Sequence, residues 1–75
     1  MTILKGKFGR RLRRLRRQKD LTQEQLAEAI GLSVDFVSGM ERGIYAPSFE
    51  TLERLANVLD VNVSNLFDFE GSESQ

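Results

Sequence analysis

Apolar residues recur at helical spacing along nearly the whole chain, and no β-branched run alternates as a strand would. Phe8, Leu12 and Leu15 fall at i, i+4 and i+7, and Leu4 extends that stripe backwards, so the spacing predicts a helix over about 7–19. Thr22 is placed to cap a second helix, with Gln25 completing a capping box and Leu21 able to staple to Leu26. Gly31 then ends it in a left-handed cap. Leu32-Ser33 repeats the device: Ser33 caps, Leu32 can staple to Val37, and Gly43 closes the helix. Pro47-Ser48 opens a fourth helix whose Phe49, Leu52, Leu55, Ala56 and Leu59 are expected to line one face. Asn62 looks like the cap of a short last helix, with Val61 stapling to Leu66. The expected fold class is all-α: a compact five-helix bundle over residues 1–69, followed by a disordered polar tail, 70–75.

Helices two and three are separated by little more than Gly31-Leu32-Ser33. A three- or four-residue turn containing Gly marks a helix-turn-helix, whose second helix can lie in the major groove of DNA. At about 100° per residue, Val37, Met40 and Ser33 face one way on the third helix, with Phe36 and Glu41 at the flanks. The opposite face carries Asp35, Ser38, Gly39 and Arg42, with Val34 at its edge. That face is small, mixed in polarity and nearly flat.

With 75 residues the chain makes one small domain. It has no Cys and no His, which removes disulfides, thiolate zinc sites, and the commonest general base and metal ligand. No catalytic motif stands out, and the chain calls for no metal and no cofactor. It has neither an apolar run long enough to span a membrane nor the apolar stretch of a secretory signal, so a cytoplasmic location is expected. The formal net charge is zero, but residues 1–19 hold nine basic and no acidic residues, while the remainder holds two basic and all eleven acidic ones. Such asymmetry suits a polyanion partner, or a basic helix packed against acidic neighbours.

The strings Leu21-Thr22-Gln23-Glu24-Gln25-Leu26-Ala27, Gly31-Leu32-Ser33, Val37-Ser38-Gly39-Met40-Glu41-Arg42-Gly43, Pro47-Ser48, Thr51-Leu52 and Leu66-Phe67 resemble the lambda-repressor-like (Xre-type) helix-turn-helix family. The match covers roughly residues 8–67, and 36–43 also look like the short controller proteins of restriction–modification systems. The resemblance implies a five-helix domain that binds a double-stranded DNA operator as a homodimer. It implies Gln23 on a phosphate, and Ser33, Val34, Asp35, Ser38 and Gly39 as recognition-helix positions. It also implies that Arg16 pairs with Glu41. Family members often carry longer polar side chains where this chain has Val34, Asp35 and Gly39, and bidentate base reading needs such side chains.

Each candidate has a plainer role beside the functional one. Arg13, Arg16 and Arg17 are the candidate phosphate contacts of the first helix, or part of its solvated surface. Asp35 could accept from a cytosine amine or simply favour the helix N-terminus. Gly39 permits either close approach to DNA or close packing within the protein. Arg42 could reach a phosphate or a guanine, or serve as a cation at a helix C-terminus. Tyr45 and Ile44 could flank a DNA backbone or cover the core. Val63, Phe67 and Phe69 are candidates for a dimer face. The expected function is a sequence-specific, dimeric transcriptional regulator without enzymatic activity and with no evident small-molecule ligand. Its rivals are a protein-interaction module of antitoxin or anti-repressor type, and a membrane-surface role for the basic helix; the latter conflicts with that helix's apolar stripe being needed for the core.

Overall fold

The computed structural model describes residues 3–69, and the expected tail over 70–75 lies outside them. The described chain is all-helical: α1 (Ile3–Gln18), α2 (Gln23–Ile30), α3 (Val34–Glu41), α4 (Phe49–Leu59), then a 3-10 helix (Val63–Phe67). There are thus four α-helices rather than five. The last element is a single short turn closed by i→i+3 bonds, Asn65 N–H to the Asn62 carbonyl at 2.9 Å and Asp68 N–H to the Asn65 carbonyl at 3.3 Å. The element spans only five residues, and the tighter 3-10 winding is the usual form of such short pieces.

The capping chemistry sets the boundaries of α2 and α3. The Thr22 hydroxyl accepts from Gln25 N–H at 3.0 Å, and the Gln25 side chain accepts from Thr22 N–H at 2.8 Å. Gly31, at φ 75°, ends α2 in a Schellman turn, with Leu32 N–H reaching the Ala27 carbonyl at 3.0 Å. Ser33 caps α3 by accepting from Phe36 N–H at 3.1 Å. The turn between the two helices is the three residues 31–33. Two other helix ends use aspartate in the left-handed region: Asp20 at φ 58° and Asp60 at φ 60°. The short carboxylate side chain tolerates that conformation better than most, so a helix stop there carries no glycine to announce it.

The core gathers one stripe from each element. Leu12, Leu26, Val37, Met40, Leu55 and Leu66 are fully enclosed, with Phe8, Leu15, Ile30 and Leu59 around them. Two parts of the expected stripes point elsewhere. α1 starts at Ile3, yet Leu4 is exposed. Phe49, expected on the buried face of α4, is 87% exposed. It is the first residue after the Ser48 cap, at the rim of the groove that Leu4, Phe8 and Phe67 also line.

α1 meets the C-terminal end of α3 at glycines. A Cβ on Gly9 would stand 2.4 Å from the Met40 carbonyl oxygen and 2.6 Å from that of Glu41. Gly43, at φ 78°, packs on Gly6 in the same way, 3.1 Å from its Cα to a would-be Cβ. This close approach carries Arg16 to Glu41 and fixes how α3 sits beneath the rest of the domain.

Candidate nucleic-acid interface

Glu41 is the polar hub of the molecule. Its side chain is buried, and Arg16 holds it from two directions: Nε donates to Oε2 at 2.6 Å and Nη2 to Oε1 at 3.0 Å. Arg16 Nη1 also donates to the Leu21 carbonyl at 2.7 Å, tying the end of α1 to the entry of α2. Gln23 Nε2 donates to Glu41 Oε1 at 3.0 Å, so one carboxylate joins the N-terminus of α2 to the C-terminus of α3. Arg13 Nε lies 3.8 Å from the same oxygen, with its side chain 53% exposed. Among the described residues, no buried side-chain nitrogen or oxygen lacks a hydrogen-bond partner.

The arginines of α1 divide into two sets. Arg16 is buried, and Arg11 donates through Nε to the Asn65 carbonyl at 2.8 Å, bracing the 3-10 helix. Arg10, Arg13, Arg14 and Arg17 are exposed and line a shallow depression of about 430 Å³ with Gln18. Of the expected phosphate candidates, Arg13 and Arg17 therefore present their charge to solvent, whereas Arg16 spends its donors inside the protein.

On α3 the expected recognition residues separate by exposure. Ser33, Val34, Asp35 and Arg42 are exposed and Ser38 is half-buried. The Ser33 hydroxyl is engaged as a cap. Gly39 is buried, contrary to its expected place on an open face, because the loop after α3 folds back over it. The Gly39 carbonyl accepts from Ile44 N–H at 2.8 Å and from Tyr45 N–H at 3.3 Å. Gln23 is half-buried with its amide engaged by Glu41, so it is a positioned rather than a loose side chain.

A second surface lies where the start of α1 meets the loop before α4 and the 3-10 helix. Phe8, Phe67 and Phe69 form a ladder of rings with centroids 5.4 Å and 6.2 Å apart. Val63 and Phe67 are exposed, whereas Phe69 is half-buried, with Lys7 Nζ 5.9 Å from its ring centroid. Beside them Leu4, Ala46, Pro47 and Phe49 edge an apolar groove of about 390 Å³ floored by Phe8 and Leu52. The sequence pattern placed Phe49 in the core and so missed its share in this surface. Its position immediately after a strong Pro-Ser cap was the available signal. Among the described residues, no helix is long and apolar enough to cross a membrane and no acidic group could hold a metal.

The model of a helix-turn-helix family matches residues 12–66. The immunity repressor protein of Bacillus phage phi105 is 43% identical over 56 residues, covering 75% of this chain and 39% of the repressor. The HTH-type transcriptional regulator SinR of Bacillus subtilis is 36% identical over 62 residues, covering 81% of this chain and 56% of SinR. The chain thus spans roughly two-fifths to three-fifths of the length of these two relatives. The crystal structure of the restriction–modification controller protein C.AhdI from Aeromonas hydrophila superposes with a TM-score of 0.81 at 44% identity, covering 84% of this chain and 96% of that one.

Proposed function

The chain belongs to the helix-turn-helix family, and from that premise we propose that it is a dimeric, sequence-specific DNA-binding regulator of transcription, not an enzyme. The observation that carries this reading is the way Glu41 binds the N-terminus of α2 to the C-terminus of α3 through Gln23 while Arg16 anchors both to α1. A buried ionic link of this kind holds two helices in one fixed relation, as a rigid reader of a groove requires. In this reading α3 enters the major groove, with Val34, Asp35, Ser38 and Arg42 toward base edges. Gln23, at the positive end of α2, meets a phosphate together with Arg13 and Arg17.

Two copies would join through the apolar end, where Val63, Phe67 and Phe49 are exposed, and would read half-sites about 34 Å apart, one helical turn. The similarity to C.AhdI over 96% of that protein favours a controller-type regulator, working on cytoplasmic DNA.

Selection from a random duplex library, with binding repeated over a salt series, tests the reading. Recovery of a two-fold symmetric motif and a steep loss of affinity with salt are expected. Failure to enrich any sequence would overturn it in favour of a protein partner, which a stoichiometric pull-down from a lysate would then identify.

A further inference from the structure

Gly39 stands in the last turn of α3, a helical position where glycine is the least favourable residue after proline. The surrounding geometry explains its presence. A Cβ at this position would lie 2.2 Å from Tyr45 Cδ2 and 2.5 Å from Cε2, so any side chain at 39 would collide with the Tyr45 ring. The loop is built to bring that ring there. Gly43 reverses the chain at φ 78°, and the Gly39 carbonyl then receives the N–H groups of both Ile44 and Tyr45. Phe36, one turn before Gly39, lies almost parallel to the tyrosine ring, with centroids 5.5 Å apart and planes 8° from parallel.

Tyr45 is thus held on two sides, by a glycine against its edge and by Phe36 against its face. It nevertheless stays 47% exposed, while Gly39 is buried. A ring serving only to cover the core would be expected to lose most of its contact with water. This one fills the space on α3 that a side chain at 39 would fill, on the face where positions 35 and 42 also lie. It does so as a preorganised aromatic group with little conformational freedom left to lose on binding.

We propose that Tyr45 takes the place of residue 39 on the recognition helix and reads a thymine 5-methyl group through its ring. The inference rests on the DNA-reading function proposed above. The chemistry selects the partner: an apolar surface in the major groove has one complementary feature on the bases, the methyl group of thymine. Gly39 is then a seat for the reader and makes no contact of its own.

The test begins with the operator selected by the wild-type protein. Each thymine of the half-site is replaced in turn by deoxyuridine, which removes only the methyl group, and affinities are measured for wild type, Tyr45→Phe, Tyr45→Ala and Gly39→Ala. At one position the wild type and Tyr45→Phe should lose about fourfold on methyl removal, the worth of one buried methyl. Tyr45→Ala should be indifferent to the same removal, and so should Gly39→Ala, whose new Cβ displaces the ring. Circular dichroism establishes that each variant is folded. Should Gly39→Ala fail to fold, the tyrosine variants decide, with Tyr45→Leu as the substitute that keeps apolar cover over the loop. If Tyr45→Ala weakens all duplexes equally and keeps the wild-type response to every thymine, Tyr45 is a backbone contact or a loop plug and the inference is overturned. A wild type that selects no sequence would instead remove the DNA-reading function on which the inference stands.

Discussion

Arg16 and Glu41, 25 residues apart in sequence, are joined by a bidentate ion pair with both side chains almost wholly buried. The charges are taken out of water, so each depends on the other and on the two further partners, the Leu21 carbonyl and the Gln23 amide. Removing one member leaves a buried charge without compensation, which costs about 3–5 kcal/mol. A domain of this size has only about 4–11 kcal/mol to lose, at the usual stability per residue. Arg16→Ala and Glu41→Ala should therefore each be largely unfolded at moderate urea concentrations where the wild type is folded. A urea midpoint within experimental error of wild type for either variant would show that the pair is dispensable.

The glycine contacts between α1 and α3 predict two opposite outcomes for one type of substitution. At Gly6 a Cβ would meet nothing closer than Arg10 Nη1 at 3.8 Å. Gly6→Ala should raise stability by about 0.5–1 kcal/mol, the helical advantage of alanine over glycine. At Gly9 the same methyl would strike two backbone carbonyl oxygens, which have no rotamer by which to move aside. Gly9→Ala should lose about 1–3 kcal/mol as α1 is pushed from α3. Denaturant titration of the two variants beside wild type gives both signs in one experiment.

Phe49 is exposed at the rim of the apolar groove, so it contributes little to the stability of a single copy. Phe49→Glu should leave the unfolding transition of the isolated domain nearly unchanged at concentrations where it is monomeric. It should shift sedimentation at higher concentration from dimer to monomer. Persistence of the wild-type dimer in this variant would move the contact between copies to another surface.

The recognition and anchoring roles separate by substitution. Gln23→Ala should weaken binding to all duplexes about equally, because a phosphate contact carries no sequence information. Its exchange also removes one donor from Glu41, so the variant's stability is measured alongside. Ser38→Ala should instead change which bases are tolerated at one position of the half-site, with a discrimination of about 1–3 kcal/mol at most. A panel of mutated operators, measured with both variants, reads the difference; parallel profiles would show that the two roles are not distinct.

Much of this architecture could be read from the chain, and the reasons differ by element. Thr22, Gln25, Gly31 and Ser33 act through hydrogen bonds to residues within a turn of themselves, so their pattern in sequence is already their structure. The buried stripe Phe8, Leu12 and Leu15 is legible because helical periodicity alone puts those residues on one face. The link between Arg16 and Glu41 was reachable only through family resemblance, since no local rule joins two helices across 25 positions. Gly39 and Phe49 show where periodicity stops. The outward place of Gly39 on a helical projection holds until a loop outside the helix lays Tyr45 over it. The inward place of Phe49 on the helical stripe is not kept at the first position of α4, where the ring sits exposed at the rim of the apolar groove. Asp20 and Asp60 follow helix ends in a conformation whose usual marker is glycine, so in the sequence those stops are marked by where the apolar stripes run out, after Leu15 and Leu59.

The arginines of α1 offer the sharpest separation of charge from packing, because the same residue type on one helix has different work to do. Arg13 and Arg17 are exposed, with Arg13 also beside Glu41 near the entry of α2. If each meets a DNA phosphate, Arg13→Gln and Arg17→Gln should each reduce the slope of log affinity against log salt by about 0.9, the counterion release of one contact. Arg11 contributes the same formal charge but directs its Nε to the Asn65 carbonyl. Arg11→Gln should therefore lower stability by about 0.5–1.5 kcal/mol, the loss of one hydrogen bond, and leave the salt slope unaltered. A general electrostatic attraction, with no individual phosphate contacts, would instead make all three variants change the slope alike. Measuring the three slopes on one selected operator decides between a positioned set of contacts and a diffuse basic helix.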